Sequence, residues 1–174
     1  MIIGNPENRR VSLFQEALQQ AGQQPAAVLP YLALLNNPSL LEDCLTSDVT
    51  VRIESPGENF EVEKRILALG GVENALQLED ERGRIYHPKQ WFLGFSQLMT
   101  TIAGCSGQVS WFNHPLDIIT MFDKPLCKKL LAPHALASQP VFTCYDAFFA
   151  FIEQQPVSRF FIKLNSSSSA SGVL

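Results

Sequence analysis

Two hydrophobic periods alternate along the first two thirds of the chain. Met1-Ile2-Ile3-Gly4 is a short apolar run ended by Asn5-Pro6, the pattern of a strand followed by a turn. Val11, Phe14, Leu18 and Ala21 then recur at helical spacing, with Gly22 placed to stop the helix and Pro25 behind it. Ala26 to Leu29 returns to a short buried strand that Pro30 closes. Strand, helix and strand within roughly thirty residues make a βαβ unit, which demands parallel pairing and places helices on the sheet faces.

The alternation continues. Pro38 to Leu45 predicts a short helix, and Val49-Thr50-Val51-Arg52-Ile53 alternates as a third strand. After Glu54-Ser55-Pro56-Gly57, the positions Phe60, Ile66, Leu67 and Leu69 predict a helix stopped by Gly70-Gly71. His87 to Ile102 carries Trp91, Phe92, Phe95, Leu98, Met99 and Ile102 on a further helix, with Pro88 suited to its first turn. Val109 to Phe112 predicts a fourth strand, and Asn113-His114-Pro115 a turn into a short helix. Residues 1–120 therefore predict an α/β domain with an open, mostly parallel sheet flanked by helices.

Beyond that point the pattern changes, and 121–174 predict a small, incomplete α+β subdomain. Pro125 to Leu131 is a helix ended by Pro133, and Thr143-Cys144-Tyr145-Asp146 matches a capping box that opens a helix bearing Phe148, Phe149 and Ile152. Arg159-Phe160-Phe161-Ile162-Lys163-Leu164 predicts a strand with a lysine embedded in it. It runs directly into Asn165 and the serine-rich stretch Ser166 to Gly172. The aromatic sets Trp91 to Phe95 and Phe148 to Phe151 read as core faces, because no basic neighbours make them a base-stacking platform.

Composition narrows the function classes. With 46% hydrophobic residues and 174 residues in all, the chain can bury a core without a disulfide or metal staple. A net charge of −4 lacks the basic stripe that nucleic-acid binding needs. No apolar run reaches the ~20 residues of a membrane span, and the first residues lack a signal-peptide layout, so a soluble, cytoplasmic protein is expected. Cys44, Cys105, Cys127 and Cys144 show no C-x-x-C spacing, and His87, His114 and His134 are equally scattered. Reduced thiols and no metal site are the expectation.

The chemistry that remains sits on lysines and small residues. A strand lysine, Lys163, followed by small side chains can hold polyphosphate, since backbone N–H groups approach the oxygens and the lysine adds a point charge. The same stretch also fits a flexible serine tail. Asp123-Lys124-Pro125 fits an aspartate-capped helix start with surface Lys128 and Lys129 after it. Neither G-x-G-x-x-G after the first strand nor G-x-x-x-x-G-K-[ST] is present, which disfavours a dinucleotide fold and a P-loop.

In order, these pieces resemble the ATP-grasp superfamily, which includes biotin carboxylase, D-alanine–D-alanine ligase and glutathione synthetase. The shared features are Asp123-Lys124 opening a helix, an extended stretch at Pro140, the strand lysine Lys163, and a small-residue loop ending in Gly172-Val173. The region before them resembles the Rossmann-like pre-ATP-grasp domain. The resemblance implies that Lys124 and Lys163 contact ATP phosphates, with Ser166, Ser167, Ser168, Ser169, Ser171 and Gly172 in the loop that closes over them. It implies ATP and Mg²⁺ as cofactors, with the metal ligands outside this chain. It further implies activation of a small-molecule carboxylate or peptide-like substrate through an acyl-phosphate that an amine or other nucleophile attacks. The second half of such a nucleotide clamp has no counterpart before Leu174, so the sequence is expected to be an inactive front portion of a ligase. Its strand at Arg159 to Leu164 is then expected to offer an open edge for self-association. The alternative is a non-catalytic α/β interaction module with a flexible serine-rich tail.

One further segment is a substrate-site candidate. Arg52, Glu54, Ser55 and Gly57 lie where a strand gives way to a helix, and open α/β sheets bind ligands at that end. A helix N-terminus near Gly57 with Arg52 beside it suits an anion. The same residues also suit an ordinary loop with a surface Arg–Glu pair.

Overall fold

A computed structural model describes residues 1–45, 48–105, 109–134, 140–156, 159–160 and 162–166. Four short strands form one sheet: β1 (Ile2–Gly4), β2 (Val28–Pro30), β3 (Thr50–Ile53) and β4 (Ser110–Trp111). Their order is β2-β1-β3-β4, and every pairing is parallel. The α/β class with a parallel sheet and flanking helices is therefore the observed architecture. The chain divides into two compact units, Met1–Ile119 and Thr120–Leu174.

In the first unit, α1 (Arg9–Gln20) connects β1 to β2. Helices α2 (Tyr31–Asn36) and α3 (Leu40–Cys44) lead to β3, and α4 (Phe60–Leu69) and α5 (Pro88–Cys105) lie between β3 and β4. The chain leaves β1 in one direction across the sheet and leaves β3 in the other. Right-handed crossovers therefore put α1 on one face and α4 with α5 on the opposite face. Strand alternation agrees. Ile3 pairs with Ile53, and Val51 with Trp111, so these four share a face. Ile2 pairs with Arg52, and Thr50 with Ser110, so these share the other. A Cβ placed on Gly4 would lie 3.2 Å from Val11 Cγ2, which fixes α1 above Ile2 and Gly4.

The core sits mainly under α4 and α5. Val62, Ile66 and Leu67 of α4 and Phe95, Leu98, Met99 and Ile102 of α5 are buried. Each such side chain contributes roughly 1.5–3 kcal/mol relative to exposure. The two helices touch backbone to backbone. A Cβ on Gly94 would lie 1.9 Å from the Ile66 carbonyl oxygen, and one on Gly70 would lie 1.9 Å from that of Gln90. Only glycine fits at either position. Tyr86 closes the far side of this layer, its ring tilted against that of Phe60 with centres 5.8 Å apart and its hydroxyl donating to the Glu79 carbonyl at 2.7 Å.

Pro30 closes β2 as expected and also serves as the N-terminal cap residue of α2, whose Tyr31 and Leu34 are buried. A proline φ of −66° suits both roles. In the second unit, α6 (Pro115–Phe122), which starts in the first, is followed by α7 (Lys124–Leu130) and α8 (Tyr145–Glu153). The cap residue of α8 is Cys144, with no side-chain hydrogen bond, so the Thr143 capping box is not formed and Asp146 falls one position early. The strand expected over Arg159 to Leu164 is not formed among its described residues. Residues 159–160 and 162–164 lack a ladder partner, and the described pairing is a single antiparallel bridge from Asp123 to Ser166. No described helix is long and apolar enough to cross a membrane.

The glycine contact generates a paired test. Gly94→Ala should cost about 3 kcal/mol or more, because backbone has to move. Gly104→Ala, in the same helix with nothing within 4 Å of the added Cβ, should be neutral or stabilise by up to ~1 kcal/mol. Urea unfolding of the two variants measures the contrast.

Candidate functional site

Two places in the fold gather polar chemistry. The first is the carboxyl end of the sheet, where the loops after β1 and β3 leave adjacent strands in opposite directions. In open α/β sheets this reversal opens a crevice for ligands. Here the two loops are laced to each other. Asn5, buried, donates through Nδ2 to the carbonyls of Pro56 (2.9 Å) and Gly57 (3.2 Å). Asn8 caps α1 by accepting from the Arg10 N–H, and its Nδ2 donates to Glu58 Oε2 at 3.2 Å. Asn59 caps α4 by accepting from the Val62 N–H at 3.0 Å, while its Nδ2 donates to Glu7 Oε1.

The arrangement is reciprocal. Each capping asparagine satisfies its own helix with its oxygen and ties down a glutamate of the opposite loop with its nitrogen. Glu58 adopts a left-handed backbone (φ 68°), a conformation that costs a non-glycine residue of order 1 kcal/mol. The α4 N-terminus thus begins three residues beyond Gly57 and is capped from within the chain. The Gly57 N–H donates to Ser55 Oγ at 3.3 Å.

Arg52 and Glu54 belong to the sheet face that carries α1. Arg52 Nε donates to Glu54 Oε1 at 2.5 Å, and its guanidinium lies 4.2 Å from the Phe14 ring centre and 5.3 Å from that of Phe112. Glu54 is buried, and its backbone is fixed at both ends. Its N–H donates to the Ile3 carbonyl (2.8 Å), and its carbonyl accepts from the buried Tyr31 hydroxyl (2.7 Å). Burial and the nearby Glu54 carboxylate together push the Tyr31 phenol well above its ordinary range. Of the four sequence candidates, Arg52 and Glu54 form one ion pair, while Ser55 and Gly57 form a separate turn.

The second place is the start of α7 in the second unit. Asp123 caps that helix, accepting from the Leu126 N–H at 2.9 Å, with Pro125 in the first turn. The residues after Lys163 return to this same point. Asp123 bridges Ser166, and the Lys124 N–H donates to the Asn165 carbonyl at 2.9 Å. Partial burial and then the Lys163 charge hold the Lys124 ammonium below the ordinary lysine range. The two lysines, 39 positions apart in sequence, therefore share one electrostatic neighbourhood. Ser167, Ser168, Ser169, Ser171 and Gly172 lie outside the described residues.

Sequence reasoning missed Asn5, Asn8 and Asn59. The two caps were marked by an asparagine just ahead of a helical pattern; Asn5 carried no such mark, because its partners are fifty residues away. Among the described residues, no group of three His, Cys, Asp or Glu side chains gathers to hold a metal ion. The chain matches no protein-family model, no curated protein and no solved structure.

Two outcomes follow from these geometries. Asn8→Ala should destabilise the first unit by about 1–2 kcal/mol. Asn8→Asp should restore only part of this, since the cap oxygen returns but a carboxylate then faces Glu58; thermal melts at neutral pH measure both. For Lys124, the ¹³Cε resonance should titrate below the ordinary value of 10.5. Lys163→Met should raise that midpoint only partway, because burial is the larger cause. A lysine that binds its proton less tightly when folded opposes folding while protonated. That penalty is complete below the folded midpoint and fades as pH rises toward 10.5. Lys124→Met should therefore stabilise the second unit at neutral pH, with a gain that shrinks in alkaline solution.

Proposed function

We propose that this chain carries the first phosphate-contacting elements of an ATP-dependent ligase of the ATP-grasp type, preceded by its α/β domain. The observation that supports the reading is the convergence of Lys124 and Lys163 at the start of α7. Burial first and the charge of the exposed Lys163 second hold the half-buried Lys124 ammonium below its ordinary range, so the two ammonium groups repel each other. A polyphosphate between them reverses the sign of the interaction. The Asp123–Ser166 bridge and the Lys124 N–H bond to the Asn165 carbonyl hold Asn165 and Ser166, just beyond Lys163, against the helix start, which supports this reading.

On this reading Lys124 and Lys163 hold the phosphates. ATP supplies the phosphoryl group that activates a carboxylate. The chain's own part is to steady the nucleotide by fixed positive charge, the usual protein contribution to phosphoryl transfer. No Mg²⁺ ligand is assigned to these residues.

A second reading, a non-catalytic interaction module, draws on a different observation. The described residues of α7 and α8 include no buried side chain, while Leu130, Leu131, Tyr145 and Phe149 are exposed. Such a surface suits contact with another protein.

Titration of the protein with ATP, tripolyphosphate and adenosine separates the two. Lys124→Ala and Lys163→Ala should each weaken ATP and tripolyphosphate about tenfold, the scale of one charge-assisted contact, and leave adenosine unchanged. Affinity for both phosphates that survives both substitutions overturns the nucleotide reading.

A further inference from the structure

The sheet of the first unit has an unequal pair of faces. Ile3, Val51 and Ile53 are buried on the face that carries α4 and α5. On the other face, α1 stands over β1 through Val11, but the continuation across β3 and β4 leaves Thr50 and Ser110 exposed. By the same alternation, Phe112 follows Ser110 on this side. It is 69% exposed, the highest exposure of any described phenylalanine among the large apolar residues of the fold.

Arg52 stands in the middle of this open half. Of its five N–H groups, Nε is taken by Glu54, and the four on Nη1 and Nη2 have no partner among the described residues. Its side chain is 28% exposed. The guanidinium is nonetheless held in place, by the Phe14 and Phe112 rings and by a glutamate whose own backbone is bonded at both ends. A fixed guanidinium fork with an accessible edge is a receptor for a planar oxyanion, because little ordering is left to be done on binding.

We propose that Arg52, Phe112 and the open half of this sheet face bind a small monoanionic carboxylate carrying a flat apolar group. The carboxylate takes the Nη edge of Arg52 in a bidentate contact. The flat group lies on the exposed Phe112 ring, which otherwise faces water. Charge decides against a phosphate. The Glu54 carboxylate already balances the guanidinium and repels a dianion more strongly than a monoanion, so the fork selects by hydrogen-bond geometry. This inference concerns Met1–Ile119 alone and does not depend on the nucleotide reading of the second unit.

The experiment is an NMR titration of the whole labelled chain, following the Arg52 Nε–H and the Phe112 ring. The probes are benzoate, acetate, benzamide and phenyl phosphate. Benzoate should move both signals with a Kd of roughly 1–10 mM, the strength of one exposed ion-pair contact with stacking. Acetate, lacking the ring, and phenyl phosphate, with its second charge, should each bind more weakly than benzoate, and neutral benzamide should move neither signal. Arg52→Lys keeps the charge but removes the fork and should weaken benzoate about tenfold. Phe112→Ala changes an exposed side chain, leaves the fold intact and should weaken it about threefold.

Benzamide binding as tightly as benzoate overturns the proposal, as does benzoate binding that both substitutions leave unchanged, or no movement at ten times the expected concentration. Tighter binding of phenyl phosphate overturns the choice of a carboxylate. Phe112 signals that move with protein concentration instead identify a contact between copies of this chain and overturn the site.

Discussion

The backbone contact between α4 and α5 at Gly70 and Gly94 is the constraint on which the first unit depends. Glycine in a helix interior costs about 1 kcal/mol relative to alanine, so Gly94 weakens α5 considered alone. The return comes from the neighbour. With no Cβ at either position, the two helices approach until backbone meets backbone, and Ile66, Leu67, Phe95 and Met99 of the same two helices are buried. This places most of the apolar side chains on one face of a four-stranded sheet. The opposite face is left to a single amphipathic helix over β1, and it is there that a charged strand residue, Arg52, and an exposed ring, Phe112, are tolerated. The concentration of the core on one side and the openness of the other are two results of the same packing.

The carboxyl end of the sheet shows a second economy. Helix N-termini attract anions because their first N–H groups lack partners within the helix. At this end two such termini meet, and the chain satisfies both itself, with Asn8 and Asn59 as caps and with Glu58 and Glu7 as the negative charges. A crevice that a parallel sheet normally offers to a ligand is instead used to tie β1 to β3. The consequence is mechanical. Two strands that are distant in sequence are joined by their ladder and also by side-chain bonds at the loops just beyond it. Arg52, paired with Glu54 through Nε, keeps its Nη edge outside that lacing.

How much of this was legible depended on whether the cause was local. The alternation through Thr50 to Ile53 and the helical spacing from Trp91 to Ile102 named their elements, because each pattern records which side of one element meets the core. Gly22 and Gly71 marked helix ends and have the positive φ that such ends require. Gly94 was not legible as a contact, since its reason lies 28 residues earlier, at the Ile66 carbonyl. The apolar run at Phe160 to Leu164 had the composition of a strand, but a strand exists only where another supplies its hydrogen bonds. Arg52 and Glu54 were legible as a pair; the rings that hold Arg52 were not, because Phe14 and Phe112 come from different elements. Asn5, whose bonds reach across 51 and 52 positions, had no local signature at all.

The lysines of the second unit pose the remaining energetic question. Ion pairs on a protein surface are worth little, so a lysine near a carboxylate calls for no explanation. Two lysines brought together are different, because the arrangement is unfavourable at any dielectric constant and grows worse with burial. Chain connectivity does not force the meeting, since 39 residues could place Lys163 elsewhere at a small entropic difference. What brings it about is the backbone pairing at Asp123, Lys124, Asn165 and Ser166, which works against the charge repulsion and not with it. The repulsion between the two lysines is a cost that an added counter-charge would reduce. For that reason the start of α7, more than the self-satisfied loops of the sheet, is where a polyanionic ligand is to be sought.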